Sequence, residues 1–408
     1  MMKKHLLVIS QYFYPEEFRI NDICKEWIKR GYKVTVVTGI PNYPQGKFYK
    51  GYGWFKKRCE NMEGINIIRL PIIPRGKNAI TLMLNYISFV LSGYIWVVHA
   101  SIKADLVFIF EVSPMTQAVP GVWYAKKHGV PCIIYVQDLW PESVETVTGI
   151  HNKRLIYAID KMVDYIYQNC TRILAISESC VKNIEKRSSA WAGKVSKVRY
   201  WPQYAEEFYY PASGGECPED ILKENRFKIV FTGNIGYAQG LEILPKTAAL
   251  LKREKVDCCF IIIGDGRYRQ ELEKEIERKE VSEMFLFLGR KKPQEIRNYM
   301  AWCDVAFLSF MDTSLFKMVI PAKLQSYLAC GMPIVASASG ESERIIQEAG
   351  CGICSYIGKA DSLADAIKKM IQKRPELKYM GSNGRRYYER HFEKKQLMDE
   401  FEKKYLKM

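Results

Sequence analysis

The chain has 408 residues, 48% of them apolar and 26% charged, with a formal net charge of +16. That length exceeds what one hydrophobic core usually supports, so two domains are expected, and the apolar share excludes a disordered chain. The positive balance points to an anionic partner: nucleic acid, anionic lipid headgroups or a phosphorylated substrate.

In chain order, Met1 to His5 lead into an apolar run at 6–10. It is too short for a secretory leader and has no small-residue cleavage site, so it predicts a first buried strand. Further strands are predicted at 34–38, 65–69, 106–110, 132–137 and 172–177, among helices near 21–30, 114–128 and 155–169. The segment 79–100 contains no Asp, Glu, Lys or Arg. It is long enough to span a bilayer, yet Asn85, Ser88, Ser92, Gly93 and His99 interrupt it. Two readings stand, a spanning helix and a packed or interfacial one with Trp54, Phe55 and the Lys56, Lys57, Arg58 cluster beside it. At 201–226, Pro202, Pro211, Gly214, Gly215 and Pro218 gather among polar residues, which is linker chemistry.

Beyond the linker, strands are predicted at 229–232, 258–263, 285–288, 305–308, 334–337 and 352–355, alternating with helices at 241–253, 267–280, 293–301, 322–330, 341–348 and 361–372. Such alternation in each half predicts two Rossmann-like, doubly wound parallel sheets, an α/β fold. The twelve cysteines are scattered, several of them in apolar runs, and predict buried free thiols. Cys351 and Cys354 have redox-motif spacing without a second pair, and no zinc pattern appears.

Two stretches of the second half carry chemistry. FKIVFTGNIGYAQG, 227–240, runs a β-branched and aromatic strand into three glycines and then a helical pattern. Gly233, Gly236 and Gly240 let a backbone approach phosphate oxygens, and the helix near Leu241 directs its N-terminal dipole there. IPAKLQSYLACGMPIVAS, 320–337, reads as loop, short helix, turn and buried strand. Pro321 suits a first helical turn, Lys323 adds a cation beside free backbone donors, and Gly331 with Pro333 ends the helix. Together they predict a site for a nucleoside diphosphate.

These two stretches, with DLWPES at 138–143, ISQYFYPE at 9–16 and GRRYYE at 384–389, resemble a GT-B fold, family 4 glycosyltransferase of bacterial capsule, exopolysaccharide or O-antigen synthesis. The resemblance covers nearly the whole chain. It implies two Rossmann-like domains with an interdomain cleft: residues 1–205 for the acceptor, with a C-terminal helix at about 387–408 packed back on it, and 206–386 for the nucleotide sugar. It further implies sugar transfer from a uridine- or guanosine-diphosphate sugar, with retention and with no metal or cofactor. The acceptor would be a polyprenyl-diphosphate-linked sugar at an anionic membrane surface, reached from the cytoplasm as a peripheral protein of the inner face. No nucleic-acid module is recognisable.

On this reading the donor site holds Gly233, Asn234, Gly236, Gln239, Gly240 and Gly264, with Arg290 and the backbone of Leu324, Gln325 and Ser326. Lys323 is the cation that stabilises the departing diphosphate. Asp138 and Glu142, at the end of a buried strand, are candidates for acceptor positioning or proton handling. Glu17, Arg19 and Asn21 after the first strand, and Glu111, Ser113 and Thr116 after the fourth, are acceptor contacts; Tyr12, Tyr14 and Trp140 offer rings for sugar stacking. The chain departs from the family where relatives carry Arg and Lys and it has Asn234 and Gln239. It departs again where relatives carry two glutamates and it has Met318 and Ser326, and where relatives carry His and it has Gln137. A sugar-nucleotide epimerase on the same fold, or an inert nucleotide-sugar-binding protein, would use the same cradle.

Overall fold

A computed structural model describes the chain except residues 1–3, 77, 149–151, 189–196, 213–215 and 408, and the side chains of 146–148. Gly214 and Gly215 of the predicted linker lie outside the described residues. The chain forms two compact units, Met1–Ile176 with Cys180–Trp201, and Ser177–Ser179 with Pro202–Met408.

The first unit is built on β1 (His5–Ile9), β2 (Lys33–Gly39), β3 (Cys59–Met62), β4 (Ile65–Leu70), β5 (Leu106–Glu111), β6 (Cys132–Val136), β7 (Arg172–Ala175) and β8 (Val198–Tyr200). Their order is β3-β4-β2-β1-β5-β6-β7-β8. All neighbours are parallel except the β3–β4 hairpin at one edge. Strands β1, β5 and β6 are almost entirely apolar and buried, as strands covered on both faces must be.

The second unit contains β9 (Phe227–Thr232), β10 (Cys258–Ile263), β11 (Phe285–Gly289), β12 (Val305–Ser309), β13 (Ile334–Ser337) and β14 (Gly352–Ser355). Their order, β11-β10-β9-β12-β13-β14, is all parallel. This is the Rossmann order, which reverses direction between its two central strands. Right-handed crossovers on either side of the reversal place helices on both faces. Phe231, Ile262, Phe307, Leu244, Ile276 and Ile367 pack into one core. The strand order of each sheet opens a crevice at the carboxyl ends, between β1 and β5 in one unit and between β9 and β12 in the other.

All twelve cysteines are free. The sequence reading places the long strands within a residue or two but misses β3 and β8, both short and at sheet edges. It also misses the helices Glu142–Thr148, Glu178–Ser188 and Ser314–Met318, and starts the last long helix, Leu377–His391, ten residues late.

Candidate active site

In the second unit three strand ends meet backbone to backbone. The amide of Gly233 donates to Ile263 at 2.8 Å and that of Gly264 to Gly289 at 2.8 Å. Gly264 has φ +143, and a Cβ there would stand 1.8 Å from the carbonyl oxygen of Gly233. No side chain fits, so this edge of the sheet stays open to a ligand. The short turn Tyr237–Gln239 is pinned to the end of β12, because Ser309 Oγ donates to the Gln239 carbonyl at 2.6 Å and Met311 N to that of Ala238 at 3.2 Å. Gly240 closes it in the left-handed region, φ +61, and the helix begins at Ile243 rather than Leu241.

Lys323 enters this crevice from the first turn of the helix Ala322–Ala329, which Pro321 precedes in extended backbone. Its Nζ lies 3.8 Å from the centroid of the Phe231 ring, and its Cε 3.5 Å from where a Cβ of Gly233 would be. It donates to Gln239 Oε1. No carboxylate pairs with it among the described residues. The side chain is half-buried, and enclosure of its ammonium lowers its pKa to about 7. Two predicted residues, Lys323 and Gln239, thus meet across 84 positions of chain, and both face the glycine turn. Phe231, read only as core, is the floor of the site; an aromatic one residue before a strand's end was the available signal.

The other donor candidates divide. Asn234 is exposed beside Gly236, and Arg290 is exposed at the end of β11 with its Nε 3.7 Å from Asp265. The amide of Leu324 is taken by the Pro321 carbonyl at 3.0 Å, so the free amides of this helix are those of Ala322 and Lys323. Gln325 and Ser326 face inward: Gln325 Nε2 donates to the Gln203 carbonyl at 2.6 Å and Ser326 Oγ to that of Ala322 at 3.1 Å. The reading of Leu324, Gln325 and Ser326 as phosphate or ribose contacts is corrected accordingly, because this helix is buried nearly all round. Among the described residues no three His, Cys, Asp or Glu side chains gather as a metal cluster.

In the first unit the loops after β5 and β6 are tied together. Asp138 Oδ2 accepts the amide of Ser113 at 2.7 Å, Trp140 Nε1 donates to Ser113 Oγ at 3.1 Å, and Gln137 N donates to the Glu111 carbonyl at 2.8 Å. Glu111 is fully buried, and among the described residues no well-aligned donor meets either carboxyl oxygen, although the amides of Asp138 and Gln137 lie near it. Burial, then the nearby charge of Asp138, pushes its pKa well above the usual carboxylate range. Its side chain therefore lies beneath the loop rather than on it, a correction to the acceptor contact expected from the sequence. Glu142 accepts from Asn183 Nδ2 at 3.2 Å.

Asn21 donates to the Glu16 carbonyl at 2.7 Å, and Arg19 opens the helix Arg19–Lys29. Glu17 is exposed; the Thr116 hydroxyl is sealed in the turn Met115–Ala118 without a partner. Glu16 was missed: its carboxylate accepts the amides of Asn42 at 2.7 Å, Tyr43 at 2.6 Å and Phe13 at 3.3 Å, bracing two loops of the crevice. Burial outweighs those three bonds and raises its pKa to about 7. Tyr12 is core, stacked on Phe18 at 5.3 Å, whereas Tyr14 is open.

The helix Ala79–His99 turns Asn85, Phe89, Ser92, Gly93 and Val97 to the unit and leaves most of its other apolar residues outside. Asn85 Oδ1 accepts from Gln11 at 2.7 Å and its Nδ2 donates to the Ile73 carbonyl at 2.6 Å. Gly93 lets Pro120 close in, since a Cβ there would be 2.4 Å from the proline Cγ. Lys127 Nζ caps the far end on the carbonyls of Val97 and Val98 at 2.7 and 2.8 Å. The helix is long and apolar enough to cross a bilayer, and one of its faces is packed on the unit. Outside lie Ile80, Met83, Ile87, Leu91, Tyr94, Ile95 and Val98, with Phe55 96% exposed. A contiguous apolar face of this kind marks an interaction site.

Comparison with known proteins adds the following. Residues 17–201 match the family model described as Glycosyl transferase 4-like domain, and residues 218–387 that described as Glycosyl transferases group 1. Over 404 residues the chain is 25% identical to the putative colanic acid biosynthesis glycosyl transferase WcaI of Escherichia coli (strain K12), covering 92% of each. It is 25% identical over 229 residues to the probable glycosyltransferase WbjE of Pseudomonas aeruginosa, a match that spans about half of either protein, 55% and 56%. Its fold is similar to that of sucrose-phosphate synthase from Thermosynechococcus elongatus, TM-score 0.75 at 15% identity, covering 99% and 98% of the chains. It is also similar to Anabaena Alr3699/HepE solved with UDP and glucose, TM-score 0.68 at 16% identity, covering 98% of each.

Proposed function

We propose, for a chain of GT-B fold that is a glycosyltransferase in both its domains, a retaining transfer of sugar from a uridine- or guanosine-diphosphate sugar to a lipid-linked glycan at a membrane surface, in bacterial surface-polysaccharide synthesis. The observation that carries the reading is Lys323, which no carboxylate pairs among the described residues, set over Phe231 and facing the open glycine edge of the Rossmann crevice. The negative charge that builds on a departing diphosphate is met there by this cation and by the glycine turn, in a site already organised to give it.

The solved relative that holds UDP and glucose supports a nucleotide-sugar donor, and the likeness to WcaI supports a role in polysaccharide synthesis. In this mechanism Lys323 and the glycine turn bind and neutralise the diphosphate. A diphosphate oxygen takes the acceptor's proton on the face the sugar leaves, so no strong side-chain base and no metal take part. Asp138, anchored on Ser113, and Glu142 orient the acceptor hydroxyl. Lipid linkage of the acceptor is supported by the outward face of the helix Ala79–His99, whose tyrosine and leucines suit a bilayer interface at the inner side of the cell membrane, with Arg58 of the basic 56–58 cluster lining a recess beside Ser92 and Ile95.

The test is release of nucleoside diphosphate from a panel of uridine- and guanosine-diphosphate sugars by the detergent-extracted protein, with and without a lipid extract, for wild type and Lys323→Ala. Release that needs both lipid and Lys323 is the expected result. Conversion of a donor to its epimer without lipid would overturn the transferase reading. In parallel, Leu91→Lys with Ile95→Lys is expected to abolish co-sedimentation with anionic vesicles; undiminished co-sedimentation would remove the membrane from the proposal.

A further inference from the structure

The second unit has a cavity of about 840 Å³ at the edge of its sheet away from Lys323. Its walls include Cys303 and Asp304, which precede β12, and Gly331 to Pro333, which precede β13. In a parallel sheet those are the amino ends of the strands, opposite the carboxyl ends that form the donor crevice. The size falls within the roughly 300–1,000 Å³ of small-molecule pockets.

Five cations line it: Arg297, Arg374, Lys378, Arg385 and Arg386. Asp304 is the one acid in the lining, and it is already engaged, by Arg374 at 2.9 Å and by the amide of Lys228 at 2.8 Å. Arg385 is held by Glu389 at 2.7 Å and by the Ala329 carbonyl at 2.6 Å, and Arg386 reaches Asn383 Oδ1 at 2.5 Å. Lys378 pairs with no acid among the described residues.

Arg297 is the informative residue. Its guanidinium lies 3.8 Å from the centroid of the Tyr210 ring, and its Nε and Nη1 are sealed from solvent with no acceptor among the described residues. The Tyr210 ring covers those two atoms, so Arg297 meets the cavity it lines through its remaining Nη2, a charge-assisted donor for a bound anion. With Arg374 offset by Asp304 and Arg385 by Glu389, the charges of Arg297, Lys378 and Arg386 are left to concentrate anions in the recess.

We propose that this cavity is a second anion site, taking a soluble phosphate- or diphosphate-bearing ligand through Arg297 and Arg386. It is distinct from the donor cradle and does not depend on the transferase reading. The experiment is calorimetric titration of the full chain with inorganic pyrophosphate, in wild type and in Lys323→Ala, where the donor cradle is disabled. Lys323→Ala is expected to keep pyrophosphate binding, and Arg297→Gln or Arg386→Ala added to it to weaken that binding tenfold or more. Arg297→Lys should recover part of the loss. Arg386 stands at the surface, so its variant reports even if Arg297→Gln fails to fold. Loss of all binding in Lys323→Ala alone, or no change on adding Arg386→Ala and Arg297→Lys, would overturn the site. Equal binding of sulfate at matched ionic strength would reduce it to diffuse charge. Vesicles of anionic phospholipid that compete with pyrophosphate would overturn the soluble-ligand assignment.

Discussion

Lys323 should make nucleotide binding take up a proton. In the free protein its enclosure lowers its pKa to about 7, so at pH 8 about nine in ten molecules carry it neutral. A diphosphate bound at Nζ favours the ammonium and raises that pKa out of the working range. Affinity then follows the protonated fraction. Between pH 7.5 and 9, where the diphosphate group is itself ionised, the dissociation constant should rise about 25-fold, or ~1.9 kcal/mol at ~1.36 kcal/mol per pKa unit. Titration calorimetry at pH 8 in buffers of different ionisation enthalpy should count about 0.9 proton absorbed per nucleotide, following from the same fraction. Lys323→Ala should lose the uptake together with most of the affinity. Affinity flat across that pH range, or the same uptake in Lys323→Ala, would refute the placement of the diphosphate on this lysine.

Stability carries the same signature with its own sign. Free Lys323 binds fewer protons folded than unfolded between about pH 7 and its ordinary value near 10.5, so that contribution rises with pH across the window, and below pH 7 the buried charge is a standing cost. Lys323→Met should therefore raise the Tm at pH 6 while abolishing stabilisation by nucleotide, as read by thermal melts with and without uridine diphosphate. Glu111 titrates the opposite way: its raised pKa makes the folded chain hold a proton the unfolded chain releases, and stability falls as pH rises above about 4.5. Glu111→Gln keeps the shape without the proton, so its Tm advantage over wild type should grow from pH 4.5 to 8; a constant difference would mean Glu111 is ionised. Gly264→Ala places a Cβ on the Gly233 carbonyl and should cost at least ~3 kcal/mol in urea unfolding, in the range of severe backbone and packing defects.

Much of this fold could be read because its central strands are buried on both faces and so spell continuous apolar runs; β10, β13 and β14 fall where they were expected to the residue. Strand β3 alternates exposed and half-buried residues at the sheet's edge, Cys59, Glu60, Asn61 and Met62, and looks like any polar loop. At the site, Lys323 was legible from its place in a first helical turn. The orientation of Gln325 and Ser326 was not, because Leu324 to Ala329 are all buried and no periodicity separates an inner from an outer side. Glu16 was invisible for another reason. An acid in a loop reads as solvated, and only the folded chain brings the amides of Asn42 and Tyr43 to its carboxylate from 26 and 27 residues away.

The helix Ala79–His99 keeps its obligations to the fold on one side only. Asn85, Ser92 and Gly93 are committed to Gln11, to the helix's own carbonyls and to Pro120, whereas Leu91, Tyr94 and Ile95 stand 56–61% open. Replacements on the outer side should change folding free energy by about 0.5 kcal/mol or less each. The dimensionality of the enzyme's search is thereby separable from its chemistry. On the proposed membrane reading, an apolar outer side has the protein look for acceptors in a plane; with the same side made charged it would look for them in a volume, carrying an unaltered donor crevice with it.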